Sequence, residues 1–173
     1  MKKIIIASTI ITLFIFACKT ASGNKKELVL MLQPKSDTQV SGSATFTEKN
    51  GVVTFVANIK GLTPGEHAIH IHEKSDCSAP DASSAGGHWN PTFKKHGKWG
   101  AAEYHKGDIG NFTADANGDG TISFSTDEWC IGCADETKNI IDKSIIVHKG
   151  ADDFTTQPTG NAGGRVACTA IIK

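Results

Sequence analysis

From Glu27 onward, apolar and polar side chains alternate with a period of two. In Val52–Ile59, residues Val53, Phe55, Ala57 and Ile59 fall on one side, as a half-buried strand requires. Gly42–Thr47 precedes it, and the Asn50-Gly51 step between them is a strong signal for a tight hairpin. Glu27–Gln33 is an apolar run of strand length, and further strands are predicted at Glu66–His72, Ile109–Ala114, Thr121–Ser125, Ile145–His148 and Arg165–Ile172. Eight short strands with glycine-containing turns and no long amphipathic helix define an all-β class. The expected architecture is an eight-stranded antiparallel Greek-key barrel or sandwich.

Two stretches interrupt this economy: Glu73–Gly107, about 35 residues long, and Lys149–Gly164. Loops this long are usually functional or disordered, and both are poor in apolar residues. A loop unable to bury apolar surface can still be ordered by a metal and a disulfide.

The chain's beginning follows a different pattern. Met1–Lys3 is cationic, and Ile4–Phe16 is apolar but too short to span a bilayer comfortably. Ile15-Phe16-Ala17-Cys18 then resembles a bacterial lipobox, which predicts a signal peptide over residues 1–17 and lipidation of Cys18. Residues 18–26 become a polar tether and 27–173 a single domain on the envelope side of a membrane, facing the periplasm or the exterior. Removing the leader takes Lys2 and Lys3 from the 18 cations, leaving 16 against 18 anions and a net charge of −2. A balance this close to neutral argues against an obligate nucleic-acid binder.

Cysteine usage agrees with an oxidising compartment. With Cys18 spent on lipid, Cys77, Cys130, Cys133 and Cys168 remain, an even set that allows three pairings. The simplest closes Cys130 on Cys133 and leaves Cys77 with Cys168. A thioredoxin-like role for Cys130-Ile131-Gly132-Cys133 lacks the strand–helix setting, and a zinc site there lacks two further ligands.

Seven histidines call for a chemical explanation. Alternation in Glu66–His72 puts His67, Ile69 and Ile71 toward the core and projects His70 and His72 outward, one pleat apart. An isolated pair of this kind would be a solvated surface feature, but His148 ends another apolar strand just before the second long loop. His67, on the core side, fits a hydrogen-bonded structural histidine. His88, His96, His105 and Asp108 form a second set in or beside the glycine-rich loop, and three imidazoles with one carboxylate suit tetrahedral zinc. Imidazole-rich sites also suit copper, and geometry decides between the two metals.

These residues carry a family resemblance. Gly65-Glu66-His67-Ala68-Ile69-His70-Ile71-His72-Glu73 resembles the copper-binding signature of the copper/zinc superoxide dismutases. So do Gly86-Gly87-His88-Trp89-Asn90-Pro91, Lys95-His96-Gly97, the run His105–Asn111 and the run Val147–Asp153, and Thr159–Cys168 resembles the family's C-terminal signature. The resemblance implies a Greek-key barrel with copper held by His70, His72, His88 and His148, and zinc by His88, His96, His105 and Asp108. It further implies His88 as a shared imidazolate bridge, Arg165 beside the copper to dock the superoxide anion, and a Cys77–Cys168 disulfide. Asp152 matches the carboxylate that orients one ligand of each metal. The implied activity is dismutation of superoxide to oxygen and peroxide by a redox-cycling copper, protecting the cell envelope, in a protein that can pair as a homodimer. The alternative is a non-catalytic lipoprotein that buffers copper and zinc on the same fold. Such a protein is expected to have lost Arg165 or a copper ligand, and neither is missing.

Departures from the family pattern are local. Ser78–Ala85 lengthens the path from Cys77 to His88, and Cys130/Cys133 is an addition. Phe154–Pro158 carries no lysine to steer an anion, and Lys149 is the compensating cation. Asp115-Ala116-Asn117-Gly118-Asp119-Gly120 imitates a calcium loop, but Thr126 stands where a bidentate glutamate is required, so a hairpin turn is expected. Asn111-Phe112-Thr113 matches a glycosylation acceptor, which a bacterial lipobox argues against. Trp89, Trp99 and Trp129 lack basic surroundings and are assigned to packing.

Overall fold

The computed structural model describes residues 25–173. The leader over 1–17, the lipidation site Cys18 and the tether up to residue 24 lie outside the described residues. The strands are β1 (Lys26–Pro34), β2 (Ser41–Lys49), β3 (Val52–Lys60), β4 (Gly65–His72), β5 (Gly110–Ala114), β6 (Gly120–Thr126), β7 (Lys143–His148) and β8 (Arg165–Ile171). They close into an antiparallel barrel in the order β1-β2-β3-β6-β5-β4-β7-β8, so the eight expected strands are present with ends shifted by one or two residues. All eight strands, both disulfides and every candidate ligand lie within the described residues.

Period-two burial builds the interior. Val53, Phe55, Ala57 and Ile59 of β3 face inward with Ala44 and Phe46 of β2, and the paired rings of Phe46 and Phe55 sit 4.8 Å apart. Ile69 and Ile71 of β4 and Ile145 and Val147 of β7 complete the wall facing them. The hairpin turn holds Asn50 and Gly51 at φ +52° and +79°, the left-handed backbone this two-residue connection demands. Trp129 is buried, and Trp99 and Phe124 pack against it.

Closure between β1 and β8 rests on only two residue pairs, Gln33 with Cys168 and Pro34 with Ala167. A third irregular connection, 127–142, joins β6 to β7 and holds the Cys130–Cys133 disulfide. The calcium-like stretch is a turn between β5 and β6, its Asn117 and Asp119 amides donating to Asp115 Oδ1.

Candidate metal centre

His70 and His72 stand on the outer face of β4, as the alternation requires, yet both are wholly buried. Residues 73–109 fold back across that face and exclude solvent from it. The fold-back is a backbone ladder: Trp89 N donates to Ile71 O (2.9 Å), Glu73 N to Gly87 O (3.0 Å), Ile71 N to Gly107 O (2.9 Å) and Gly107 N to Trp89 O (3.0 Å). This pairing sets His88 opposite His72. A Cβ on Gly107 would lie 2.2 Å from Ile71 O, so only glycine lets the three segments converge.

On the neighbouring strand, alternation puts His148 on the same outer face as His70, and a register irregularity between Val147 and His148 sets it opposite Arg165 of β8. His70, His72, His88 and His148 form one buried group and His88, His96, His105 and Asp108 another, with candidate ligand atoms in each within 4.8 Å of one another. His88 belongs to both. The structure therefore brings together every residue of both predicted sets.

Hydrogen bonding decides which nitrogen each ring offers. His72 Nδ1 donates to Gly86 O (3.0 Å) and His148 Nδ1 to Gly163 O (3.2 Å), leaving their Nε2 atoms 3.4 Å apart. His70 Nε2 donates to Asp152 Oδ2 and His96 Nε2 to Asp152 Oδ1, both at 2.9 Å. His105 Nε2 donates to Lys94 O (3.1 Å). What remains is a set of buried nitrogens without a hydrogen-bond partner: His70 Nδ1, His88 Nε2, His96 Nδ1 and His105 Nδ1. Buried polar atoms left unpaired are costly, and four of them converging fits a site built for cations. The donor set of imidazole nitrogens and one carboxylate fits copper and zinc.

Asp108 lies among the Nδ1 atoms of His88 (2.8 Å), His96 (3.0 Å) and His105 (3.3 Å), while its Oδ2 accepts the amides of His105 and Gly97. Burial opposes its charge, but the three histidines around it, His88 through a hydrogen bond, hold its carboxyl far below the usual carboxylate range. Burial pushes His88 down to about 4 and also holds His72 and His148 well below the ordinary value, which keeps their ligand nitrogens unprotonated at neutral pH. His96 is also penalised by burial, yet Asp108 and Asp152 on its two nitrogens raise it to about 9.

Arg165 is half-buried at the edge of the first group. Its Nη1 donates to Ala82 O (2.6 Å) and its Nη2 to Gly86 O (2.7 Å). Its charge helps depress His72 and His148, so it lies within electrostatic reach of both. The residues that hold it come from the segment after Cys77, where Ala82 takes a left-handed φ of +56° before the short 3-10 turn Ser83–Ala85. Cys77 is bonded to Cys168 of β8, which fixes this segment to the barrel, and Cys130 is bonded to Cys133. His67 lies between two carbonyls, with Nδ1 2.9 Å from His148 O and Nε2 2.8 Å from Thr63 O, the structural role expected for it.

Two supports are not readable from the sequence. Asn111 clamps Asp152 from both sides, accepting from Asp152 N and donating to Asp152 O, each at 2.8 Å. Gln157 similarly brackets His96, accepting from its amide and donating to its carbonyl, each at 2.9 Å. Backbone clamps of this kind leave no spacing pattern in the chain.

A closed antiparallel barrel carrying two buried ligand groups that share one histidine defines a dinuclear metalloprotein. Comparison with known proteins narrows the class. The family described as copper/zinc superoxide dismutase matches residues 40–171. A relative from Aquifex aeolicus, "Superoxide dismutase [Cu-Zn] 2", is 37% identical over 138 residues, covering 77% of this chain and 80% of its own. "Superoxide dismutase [Cu-Zn]" from Caulobacter vibrioides is 39% identical over 139 residues, covering 78% and 80%. Among solved structures, that of the clock protein EA4 superposes with a TM-score of 0.72 at 35% identity, over 86% of this chain and 94% of the other. The chain belongs to the copper/zinc superoxide dismutase family.

Proposed function

We propose that the protein dismutes superoxide to oxygen and hydrogen peroxide. His70, His72, His88 and His148 hold copper, and His88, His96, His105 and Asp108 hold zinc. The observation that carries this reading is the position of His88, whose Nδ1 faces Asp108 and the zinc group while its unpaired Nε2 faces the copper group. Copper, when bound, supplies the one-electron exchange that oxidises one superoxide and reduces the next, and zinc supplies a fixed charge.

The chain's own residues do the rest. Asp152 and the Gly86 and Gly163 carbonyls fix the rings of His70, His96, His72 and His148 before any metal arrives. Arg165, held by two carbonyls, keeps its remaining N–H donors and its permanent charge for docking a small anion. His88 has a low proton affinity because it is buried, so at neutral pH its ring is uncharged and carries a single proton, leaving one nitrogen free and the other able to become a ligand on giving that proton up.

The test follows superoxide decay by pulse radiolysis in the copper- and zinc-loaded protein beside a His148→Ala variant. Decay near the diffusional ceiling of about 10⁸–10⁹ M⁻¹s⁻¹ that vanishes in the variant supports the enzyme. Slow decay at full metal occupancy refutes it and favours the buffering lipoprotein.

The setting belongs to the same proposal. A lipid on Cys18 anchors the mature chain to a membrane of the bacterial envelope, facing the periplasm or the exterior, where it intercepts superoxide. The lipobox carries this reading, and the mass of the mature chain with and without Cys18→Ala tests it. The apolar outer face of β1, with Val29 62% and Met31 60% exposed, supports pairing with a second copy, which sedimentation velocity tests.

A further inference from the structure

The turn at Asn90–Lys94, between His88 and His96, presents an aromatic side chain to solvent. Phe93 is 93% exposed, more than any other large apolar side chain among the described residues. Its φ of +54° lies in the left-handed region, where a bulky residue is strained. The turn that carries it is nonetheless clasped. Asn90 Nδ2 donates to Lys94 O (2.8 Å), Lys94 N donates back to Asn90 Oδ1 (3.1 Å), and His105 donates from Nε2 to the same Lys94 carbonyl (3.1 Å). A rigid mount for an unpacked aromatic ring serves no purpose within the barrel.

The surroundings are cationic. Thr92, Lys94 and Lys95 are exposed and neither lysine forms an ion pair among the described residues, while Lys98 beyond them lies with its ammonium over the Phe154 ring (5.8 Å). We propose that the Phe93 tip docks on the anionic surface of a lipid bilayer, the ring entering the headgroup layer and the lysines facing lipid phosphates. Apolar side chains such as phenylalanine bury at the boundary of headgroups and acyl chains, and lysines near it are drawn to anionic lipid. The place where the preceding chain ends supports a membrane as the occupant. β1 begins at the end of the barrel where β4 ends and β5 starts, the two strands this loop connects. The eight steps from Cys18 to Lys26 span at most about 28 Å, so an anchored chain would hold this end near the bilayer. That cellular setting rests on the proposed lipid anchor; the contact itself does not.

The experiment sediments metal-loaded residues 25–173 with vesicles at millimolar lipid. One set is equal parts phosphatidylglycerol and phosphatidylcholine, the other phosphatidylcholine alone. Binding is expected on the anionic vesicles and not on the neutral ones. It should fall roughly tenfold in Phe93→Ser and roughly fivefold in Lys94→Gln, with the melting temperature of each variant unchanged. Absence of binding, equal binding to neutral vesicles, or wild-type binding by Phe93→Ser overturns the proposal, and absence of binding leaves the tip to a protein partner. Because these residues carry no lipid, failure of Cys18 acylation is read separately from the mass of the mature chain and leaves this result standing.

Discussion

Asp152 stands between His70 and His96, 2.9 Å from the Nε2 of each, so one carboxylate orients a ring in both ligand groups. Burial opposes its charge, but hydrogen bonds from the two histidines keep its carboxyl well below the usual carboxylate range. Asp152→Asn keeps one acceptor and turns the other into a donor facing a ring N–H. Zinc affinity should fall roughly 10- to 100-fold, as loss of a partner behind a metal ligand does elsewhere. Competition with a chromophoric chelator measures it. Unchanged affinity would mean that Asp152 does not position His96.

Gly160 makes room for that carboxylate. A Cβ there would lie 1.7 Å from Asp152 Oδ1 and 2.6 Å from His96 Nε2, on a backbone with φ +68°. Gly160→Ala therefore has to displace Asp152 while also adopting an unfavourable backbone conformation. The expected result is a loss of zinc affinity at least as large as in Asp152→Asn, with additional loss of thermal stability. Retention of both in a calorimetric titration and melt would contradict it.

The two disulfides should differ in worth. Cys77–Cys168 closes a separation of 91 residues and Cys130–Cys133 one of 3. Chain-entropy reasoning gives the longer closure about 4–5 kcal/mol and the shorter less than half of that. Cys77→Ser with Cys168→Ser should also lower turnover, because the segment bearing the Ala82 and Gly86 carbonyls loses its tie to β8. Cys130→Ser with Cys133→Ser should leave turnover unchanged. Denaturant midpoints and radiolysis on both variants decide.

The metal-free protein should lose stability in acid. Free histidine titrates near 6.5, whereas burial lowers His88 to about 4 and places His72 and His148 well below their ordinary value. As pH falls below about 6.5, the unfolded chain takes up protons that the folded chain refuses, so stability present at neutral pH is lost toward about pH 4. His96, raised to about 9, acts in the opposite sense: its contribution is full in acid and is lost as pH rises through that value. Urea midpoints of the apoprotein should therefore peak between these limits. A midpoint that stays level from about pH 7 to about pH 5 would show that burial does not keep these rings neutral.

Asp81 precedes the carbonyl that holds Arg165 and lies close enough for the two charges to act on each other. It offsets part of the positive potential offered to an approaching anion. Asp81→Asn should raise the bimolecular rate about two- to threefold at low ionic strength, the gain shrinking as salt screens it. A rate unaffected by the substitution at low salt would show that Asp81 does not oppose steering.

The strands and both ligand sets were legible because each leaves a period or a spacing. Val53, Phe55, Ala57 and Ile59 mark an inward face by alternation, and His70 with His72 mark the outward one. The burial of that outward pair was not legible, since alternation describes a strand and not the loop that folds over it. The connection 127–142 does not read as a long loop because its apolar residues, Trp129, Ile131 and Ile140, pack into the core and imitate element interiors. Asn111 and Gln157 act through backbone atoms far along the chain, a relationship no local pattern encodes.

The Gly86 carbonyl accepts both from Nδ1 of His72 and from Nη2 of Arg165. One oxygen thus sets the tilt of a ligand ring and the placement of the guanidinium that receives the anion. This divides the segment from Cys77 to Gly86 into two zones of different tolerance. Between Cys77 and Asp81 the chain is held elsewhere, Lys35 Nζ donating to the Cys77 and Ala79 carbonyls and Ser36 N to Pro80 O (2.8 Å), so a change of length there costs contacts with the β1–β2 connection rather than with the guanidinium or His72. A single residue added between Ala82 and Gly86 shifts the two carbonyls out of step with the guanidinium fork and twists His72 with them. Natural length variation in this protein's relatives should therefore collect on the cysteine side of Ala82 and stop there.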